Sequence, residues 1–204
     1  MNLIQISKKT GMGLLESARF LKWLPPPYRR SPILNCSDFV KRAFWGLLVI
    51  VYGVMRIGKT YTVLALAEQI RRRFNCEFYS NTPCQNATLF EPTELIKIEP
   101  KGSVIVFDET HVYYNPRRSM SKGTLDLLNW ITQFGKSDNI MFCISQRFKG
   151  IDVWIRDIAH LTIELKRKGV ALCESDAYDY PSKFVLWVDC KPPKYDSKAI
   201  LTKN

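Results

Sequence analysis

The 204-residue sequence contains no hydrophobic run long enough to cross a membrane. Its longest uncharged apolar stretch, residues 43–55, falls well short of the ~20 residues that a membrane helix needs. The first residues also lack the apolar segment and the small-residue cleavage site of a secretory signal. We therefore expect an intracellular protein with no transmembrane segment.

Cysteine pairs at the spacing of metal sites are also missing. The sequence has six cysteines, and no two of them have the two-residue spacing of zinc sites or redox motifs. Cys76 and Cys143 fall in or beside predicted strands, where an unpaired cysteine commonly packs as a small hydrophobic residue. The sequence leaves open whether a disulfide forms, because intracellular proteins of hyperthermophiles do contain disulfides.

Acidic residues are scarce relative to basic ones. The chain has 30 Lys and Arg against 19 Asp and Glu, a net charge of +11, and 46% of its residues are hydrophobic. Residues 1–42 hold eight basic residues and two acidic ones. Such a surface favours encounter with phosphate polyanions. A solvated basic face explains the same charge, so both interpretations stay open.

Internal repeats and flexible linkers are absent, and three consecutive prolines, Pro25–Pro27, form the strongest break. They follow an amphipathic segment around residues 11–24, and proline cannot continue a helix. We therefore divide the chain into a basic N-terminal extension, residues 1–42, packed on a main domain, residues 43–204.

The main domain alternates short apolar runs with helical periodicity, which predicts an α/β sandwich with a mainly parallel central sheet. A terminal antiparallel strand pair is expected at its end, joined by an acidic turn. Predicted strands cover residues 47–51, 77–81, 103–108, 140–145, 161–168 and 183–190; predicted helices cover 59–73, 124–134 and 151–158. Sites in such sheets lie at the carboxyl ends of the strands.

A phosphate-binding loop follows the first of these strands. Residues 53–60, GVMRIGKT, fit the pattern G-x-x-x-x-G-K-[ST] between a predicted strand and a predicted helix, as the motif requires. Lys59 is expected to neutralise β- and γ-phosphate oxygens, and Thr60 to ligate Mg²⁺. The residues predicted to bind ATP are Gly53, Met55, Arg56, Ile57, Gly58, Lys59, Thr60 and Tyr61.

Polar residues follow two later strands. Asp108 ends the strand SVIVF and is predicted to hold Mg²⁺, while its neighbour Glu109 is predicted to activate the attacking water. Gln146 follows the strand IMFCIS, and its amide is predicted to sense the γ-phosphate or the water. The glutamate favours hydrolysis over transfer to a small acceptor.

Four arginines are candidates for stabilising the γ-phosphate of a neighbouring subunit: Arg117, Arg118, Arg147 and Arg156. Arg147 and Arg156 are favoured as catalytic residues because they flank the Gln146 region. Each is also explained as a surface arginine. We interpret His111, which completes the sequence DETH, as a loop residue.

Together GVMRIGKT, VIVFDET and CISQR followed by IDVWIRDIAHLTIEL resemble the FtsK/HerA superfamily of P-loop ATPases. The likeness is strongest to genome-packaging ATPases of tailless icosahedral viruses, including turreted archaeal viruses, and spans residues 47 to about 165. The DET segment is also similar to assembly ATPases of the zonula occludens toxin type.

The resemblance implies a RecA-like P-loop NTPase fold of the ASCE type and a ring, taken as a hexamer, that hydrolyses ATP. It further implies double-stranded DNA and capsid or vertex proteins as partners. The expected location is the host cytoplasm during virion assembly, with retention in the virion left open.

Two other functions stay open. A nucleotide or small-molecule kinase would use the same loop, with residues 111–123 as an arginine-bearing lid. A non-catalytic assembly protein would bind nucleotide structurally and DNA through its basic face. A GTPase is disfavoured, because the sequence has no Asn-Lys-x-Asp motif for guanine.

Overall fold

The computed structural model describes residues 3–91, 94–110, 126, 129–131, 133–167 and 169–196. The strands are β1 (Ile33–Asn35), β2 (Leu48–Tyr52), β3 (Phe78–Ser80), β4 (Thr88–Leu89), β5 (Val104–Phe107), β6 (Ile140–Ser145), β7 (Leu161–Arg167), β8 (Val170–Ser175) and β9 (Lys183–Trp187). The helices are α1 (Leu3–Thr10), α2 (Leu14–Trp23), α3 (Cys36–Arg42), α4 (Lys59–Phe74), α5 (Leu95–Ile98) and α6 (Val153–Ile158). Short 3-10 turns cover Pro26–Tyr28, Phe134–Ser137 and Phe148–Gly150.

One mixed sheet organises these elements, with the strand order β1-β9-β8-β7-β2-β6-β5-β3-β4. The strands from β7 to β4 in this order are parallel to one another. Only β8 opposes its neighbours, because it runs antiparallel to both β7 and β9. The predicted α/β fold with a mainly parallel sheet is confirmed.

The central strands are buried on both faces. Every residue of β5 and β6 is buried, so these strands are continuous apolar runs without alternation. One face packs against α3 and α4 through residues such as Val49, Leu64 and Val106. The other face carries a second cluster that includes Phe107 and Ile155. This double covering holds the strand ends rigidly.

The strand order determines which residues come together at the carboxyl edge of the sheet. Because β2, β6, β5 and β3 are parallel neighbours, the residues that follow them lie along one edge of the sheet. β6 lies between β2, which leads into the phosphate loop, and β5, which leads into Asp108.

The terminal strands differ from the prediction in number. Two were expected, over residues 161–168 and 183–190, and a third strand, β8, lies between them. Gly169, with φ 76, adopts the left-handed conformation at the reversal between β7 and β8. The strand β8 was missed because its burial does not alternate, so it has no period-two signature.

The N-terminal residues build onto the far end of the sheet. β1 is the edge strand, parallel to β9, and α3 follows it directly and packs on α4. A third apolar cluster, which includes Ile6, Phe20, Leu24 and Val185, joins α1 and α2 to the terminal strands. The division of the chain at residue 42 stays a prediction. No helix among the described residues has both the length and the apolar character to cross a membrane.

A disulfide joins the N-terminal part of the chain to the segment that follows β9. Cys36, the first residue of α3, is bonded to Cys190, which follows β9, and 154 residues separate them in sequence. The remaining four cysteines are free thiols, and Cys143 is fully buried in β6 as expected of a small hydrophobic residue.

Replacing Cys190 by serine is expected to lower the free energy of unfolding by about 3–5 kcal/mol, because the bridge restricts a long loop of the unfolded chain. Urea unfolding with and without a reductant measures the effect. Cys76→Ser, at a half-buried free thiol, is the control and should cost less than about 1 kcal/mol. A wild-type midpoint that does not move on reduction would contradict the role of the bridge.

Candidate functional site

The phosphate loop crosses from the end of β2 to the start of α4, and glycine is required at both ends of it. At Gly53, with φ 154, an added Cβ would lie 2.8 Å from the backbone oxygen of Leu165 in β7. Gly58 has φ 97 and precedes the helix directly. Only glycine adopts such conformations at little cost, so the motif glycines shape the loop.

Lys59 is held inside the loop. Its side chain is buried, and Nζ donates to the backbone oxygens of Gly53 at 3.0 Å and Val54 at 3.1 Å. Burial lowers the pKa of Lys59, while the carboxylates of Glu109 and Asp108 act in the opposite direction. The ammonium group and both predicted acidic residues therefore share one electrostatic environment.

The other predicted loop residues differ in exposure. Met55 is exposed, Arg56 has a positive φ of 62, and Ile57 packs against the core cluster of α4. Tyr61 is half-buried in the first turn of α4. The N–H groups of this loop and first turn are the donors that a phosphate chain would meet.

Thr60 and Asp108 are in direct contact. The Thr60 hydroxyl donates to Oδ2 of Asp108 at 2.6 Å, although the two residues are 48 positions apart. Asp108 is 3% exposed, and burial raises the pKa of its carboxyl group. A buried carboxylate beside a hydroxyl offers the hard oxygen ligands that Mg²⁺ prefers, so these two residues fit a magnesium site.

Asn81 and Thr82 hold Asp108 in place, and sequence reasoning missed both. Asn81 Nδ2 donates to the backbone oxygen of Asp108 at 2.9 Å, and the Asp108 N–H donates to Asn81 Oδ1 at 2.6 Å. The Thr82 hydroxyl lies 3.5 Å from Asp108 Oδ2. The sequence did contain a signal for Asn81. This residue ends the predicted strand EFYSN, and the ends of the strands converge at the site.

Glu109 follows Asp108 in a left-handed conformation, with φ 51. Its N–H donates to Asp108 Oδ1 at 2.8 Å, and its side chain is half-buried. A non-glycine residue with positive φ stores conformational energy of about 1 kcal/mol or more, and such residues concentrate at functional sites. This conformation turns the chain at the edge of the site, directly after Asp108, the candidate Mg²⁺ ligand.

Gln146 and Arg147 follow β6. They therefore lie between the end of β2, which leads into the phosphate loop, and the end of β5, which leads into Asp108. Gln146 is half-buried and Arg147 is exposed. The Arg156 guanidinium stacks 5.3 Å from the ring centre of Phe148, which packs against Tyr52 at the start of the loop. The other candidates His111, Arg117 and Arg118, and the lid segment 111–123, lie outside the described residues.

Asn81→Ala is expected to lower the free energy of unfolding by about 2 kcal/mol, since it removes two hydrogen bonds to the Asp108 backbone. Denaturant unfolding of the nucleotide-free protein measures this. Gln133→Ala, at an exposed side-chain amide of the opposite edge, is the control and should stay within about 0.5 kcal/mol. Equal effects of the two substitutions would contradict the role of Asn81.

Comparison with known proteins gives a family match and several similar folds. Residues 81–181 match the family described as Zonular occludens toxin (Zot). The N-terminal domain of zonular occludens toxin from Neisseria meningitidis superposes with a TM-score of 0.54 and 16% identity, covering 76% of this chain and 96% of that chain. No curated protein sequence shows significant similarity to this chain.

Two further solved structures share the fold. The genome packaging NTPase of Sulfolobus turreted icosahedral virus 2, in complex with ATP-gammaS, superposes with a TM-score of 0.50 and 10% identity over 73% of this chain and 98% of that chain. The flagellar accessory protein FlaH from Methanocaldococcus jannaschii superposes with a TM-score of 0.51 and 17% identity over 78% and 95%. The chain therefore has the fold of the P-loop NTPases, and its residues 81–181 match the Zot family model.

Proposed function

We propose that this protein is an ATP-hydrolysing motor that moves double-stranded DNA into a preformed viral capsid. The observation that carries the hydrolytic part is the Thr60–Asp108 contact, with the charges of Lys59 and Glu109 beside it. The motor function is supported by the resemblance of the motifs and by the shared fold with a genome packaging NTPase.

The proposed chemistry begins with the phosphate chain. The loop N–H groups and the first turn of α4 bind the phosphates, and Lys59 exchanges the carbonyls of Gly53 and Val54 for β- and γ-phosphate oxygens. Bound Mg²⁺ would neutralise the phosphate oxygens, held by Thr60 and Asp108.

Glu109 then accepts a proton from the attacking water, whose oxygen bonds to the γ-phosphorus while the bond to the ADP oxygen breaks. Gln146 lies at the end of the intervening strand, where its amide hydrogen-bonds the water or the γ-phosphate. The position of β6 favours hydrolysis over the kinase alternative, because it inserts this polar residue between the loop and the acidic pair.

A charge-stabilising arginine comes from a neighbouring subunit of the proposed ring. Arg147 suits this role through its exposure, whereas Arg156 stacks on Phe148 of its own chain and has a buried Nε. Both remain candidates. The net charge of +11 favours association with DNA. The proposed location is the host cytoplasm during assembly, where capsid or vertex proteins are the docking partners.

Phosphate release with and without duplex DNA tests the proposal. Wild-type protein, at concentrations that permit assembly, is expected to hydrolyse ATP faster with DNA. Glu109→Gln should retain ATP binding and lose at least about 100-fold in rate, because the water loses its general base. Lys59→Ala should lose ATP binding as well.

Glu99→Gln is the matched control, because Glu99 is an exposed glutamate that also has a positive φ, of 46. It should leave the rate unchanged. Phosphate transfer to a nucleoside acceptor would support the kinase instead. ATP binding without turnover at any concentration, with DNA or without it, would support the non-catalytic alternative and contradict the proposal.

A further inference from the structure

The chain after β9 returns across the carboxyl edge of the sheet. We call residues 188–196 the strap. Its first part is fixed beside β9, where the Val188 N–H donates to the Gly169 oxygen at 2.9 Å and Asp189 accepts from the Cys36 N–H at 3.1 Å. The disulfide at Cys190 completes this anchor.

The far part of the strap is fixed beside β3. Tyr195 forms an antiparallel bridge with Cys84, the Gln85 N–H donates to the Lys194 oxygen at 2.7 Å, and the Asp196 N–H donates to the Pro83 oxygen at 2.9 Å. These partners follow β3, whose carboxyl end lies at the same edge as the end of β9.

The length of the strap constrains its path. Six strand spacings separate β9 from β3, which is about 29 Å along the sheet before twist shortens it. Eight residues from Trp187 to Tyr195 span at most about 28 Å. The strap therefore has little length to spare for a detour, and β7, β2, β6 and β5 lie between its two anchors in the strand order.

Tyr195 is the residue that this path brings to the site. It packs half-buried against the core cluster on the α4 face. Burial raises the pKa of Tyr195, and the negative charge of Asp108 acts in the same direction. Its bridge partner Cys84 lies two residues after Thr82, whose hydroxyl is 3.5 Å from Asp108 Oδ2, so the backbone of Tyr195 lies on the Asp108 side of the site.

We propose that the strap forms one wall of the nucleotide site and that Tyr195 contacts the ribose and base of the bound nucleotide. The inference rests on the proposed triphosphate site. Phosphates held at the loop and at the N–H groups of the first turn direct the rest of the nucleotide past Tyr61. There the Tyr195 ring offers a stacking surface and its hydroxyl a hydrogen-bond donor.

Calorimetric binding of two probes, ATP and inorganic tripolyphosphate, tests the strap. Tyr195→Ala should weaken ATP binding about ten-fold, as expected for loss of base stacking, and leave tripolyphosphate binding unchanged. Tyr195→Phe should retain most of the affinity. Tyr178→Ala is the matched control, because Tyr178 is fully exposed in the turn before β9. Unchanged ATP affinity in Tyr195→Ala, or equal losses for both probes, would overturn the proposal.

Cys190→Ser provides a second variant that leaves Tyr195 in place. Releasing one anchor should weaken ATP binding by a smaller factor, again with tripolyphosphate unaffected, at a temperature where unfolding curves show the variant folded. ATP binding equal to wild type would overturn the role of the strap. Failure of the triphosphate site itself is distinguishable, because Lys59→Ala would then leave the binding of both probes unaltered.

Discussion

The hydroxyl of Thr60 and the carboxylate of Asp108 come from the ends of two strands that are not neighbours. β6 separates them, so β2 and β5 are about 10 Å apart. The phosphate loop and the first turn of α4 extend far enough to close this gap, and the two side chains meet at 2.6 Å. Every role assigned to the site depends on that contact, because it joins the phosphate-binding group to the acidic pair.

The surrounding structure maintains an arrangement that is unfavourable by itself. Burial raises the pKa of the Asp108 carboxyl, so its ionised form destabilises the metal-free fold. This destabilisation is absent at pH values below the ordinary pKa of aspartate, and it is complete at pH values above the raised pKa of Asp108. Arg56 and Glu109 add positive φ angles in the same region. Two buried clusters on either side of the sheet, together with Asn81, offset these costs.

Much of this site could be predicted from the sequence because its signals are local. A glycine-rich loop between an apolar run and an amphipathic helix identifies Gly53–Thr60, and acidic residues after a buried run identify Asp108 and Glu109. The strand over 140–145 has the predicted bounds. A continuous apolar run was enough to predict this strand, since both of its faces are covered.

The features that were missed depend on contacts between distant parts of the chain. Asn81 acts through the backbone of Asp108, and the bridge between Cys36 and Cys190 joins residues that only the folded sheet brings together. The approach of Tyr195 to the site follows from the order of the strands and not from any motif. β8 was missed because its burial does not alternate with the period that identifies a half-exposed strand.

A crystal structure of the protein with a non-hydrolysable ATP analogue and Mn²⁺ in place of Mg²⁺ tests the central claim most directly. We predict an anomalous Mn²⁺ peak beside the Thr60 hydroxyl and the Asp108 carboxylate, with the Lys59 ammonium moved from the carbonyls of Gly53 and Val54 to the γ-phosphate. A nucleotide bound elsewhere, or a metal peak away from Thr60 and Asp108, would contradict it.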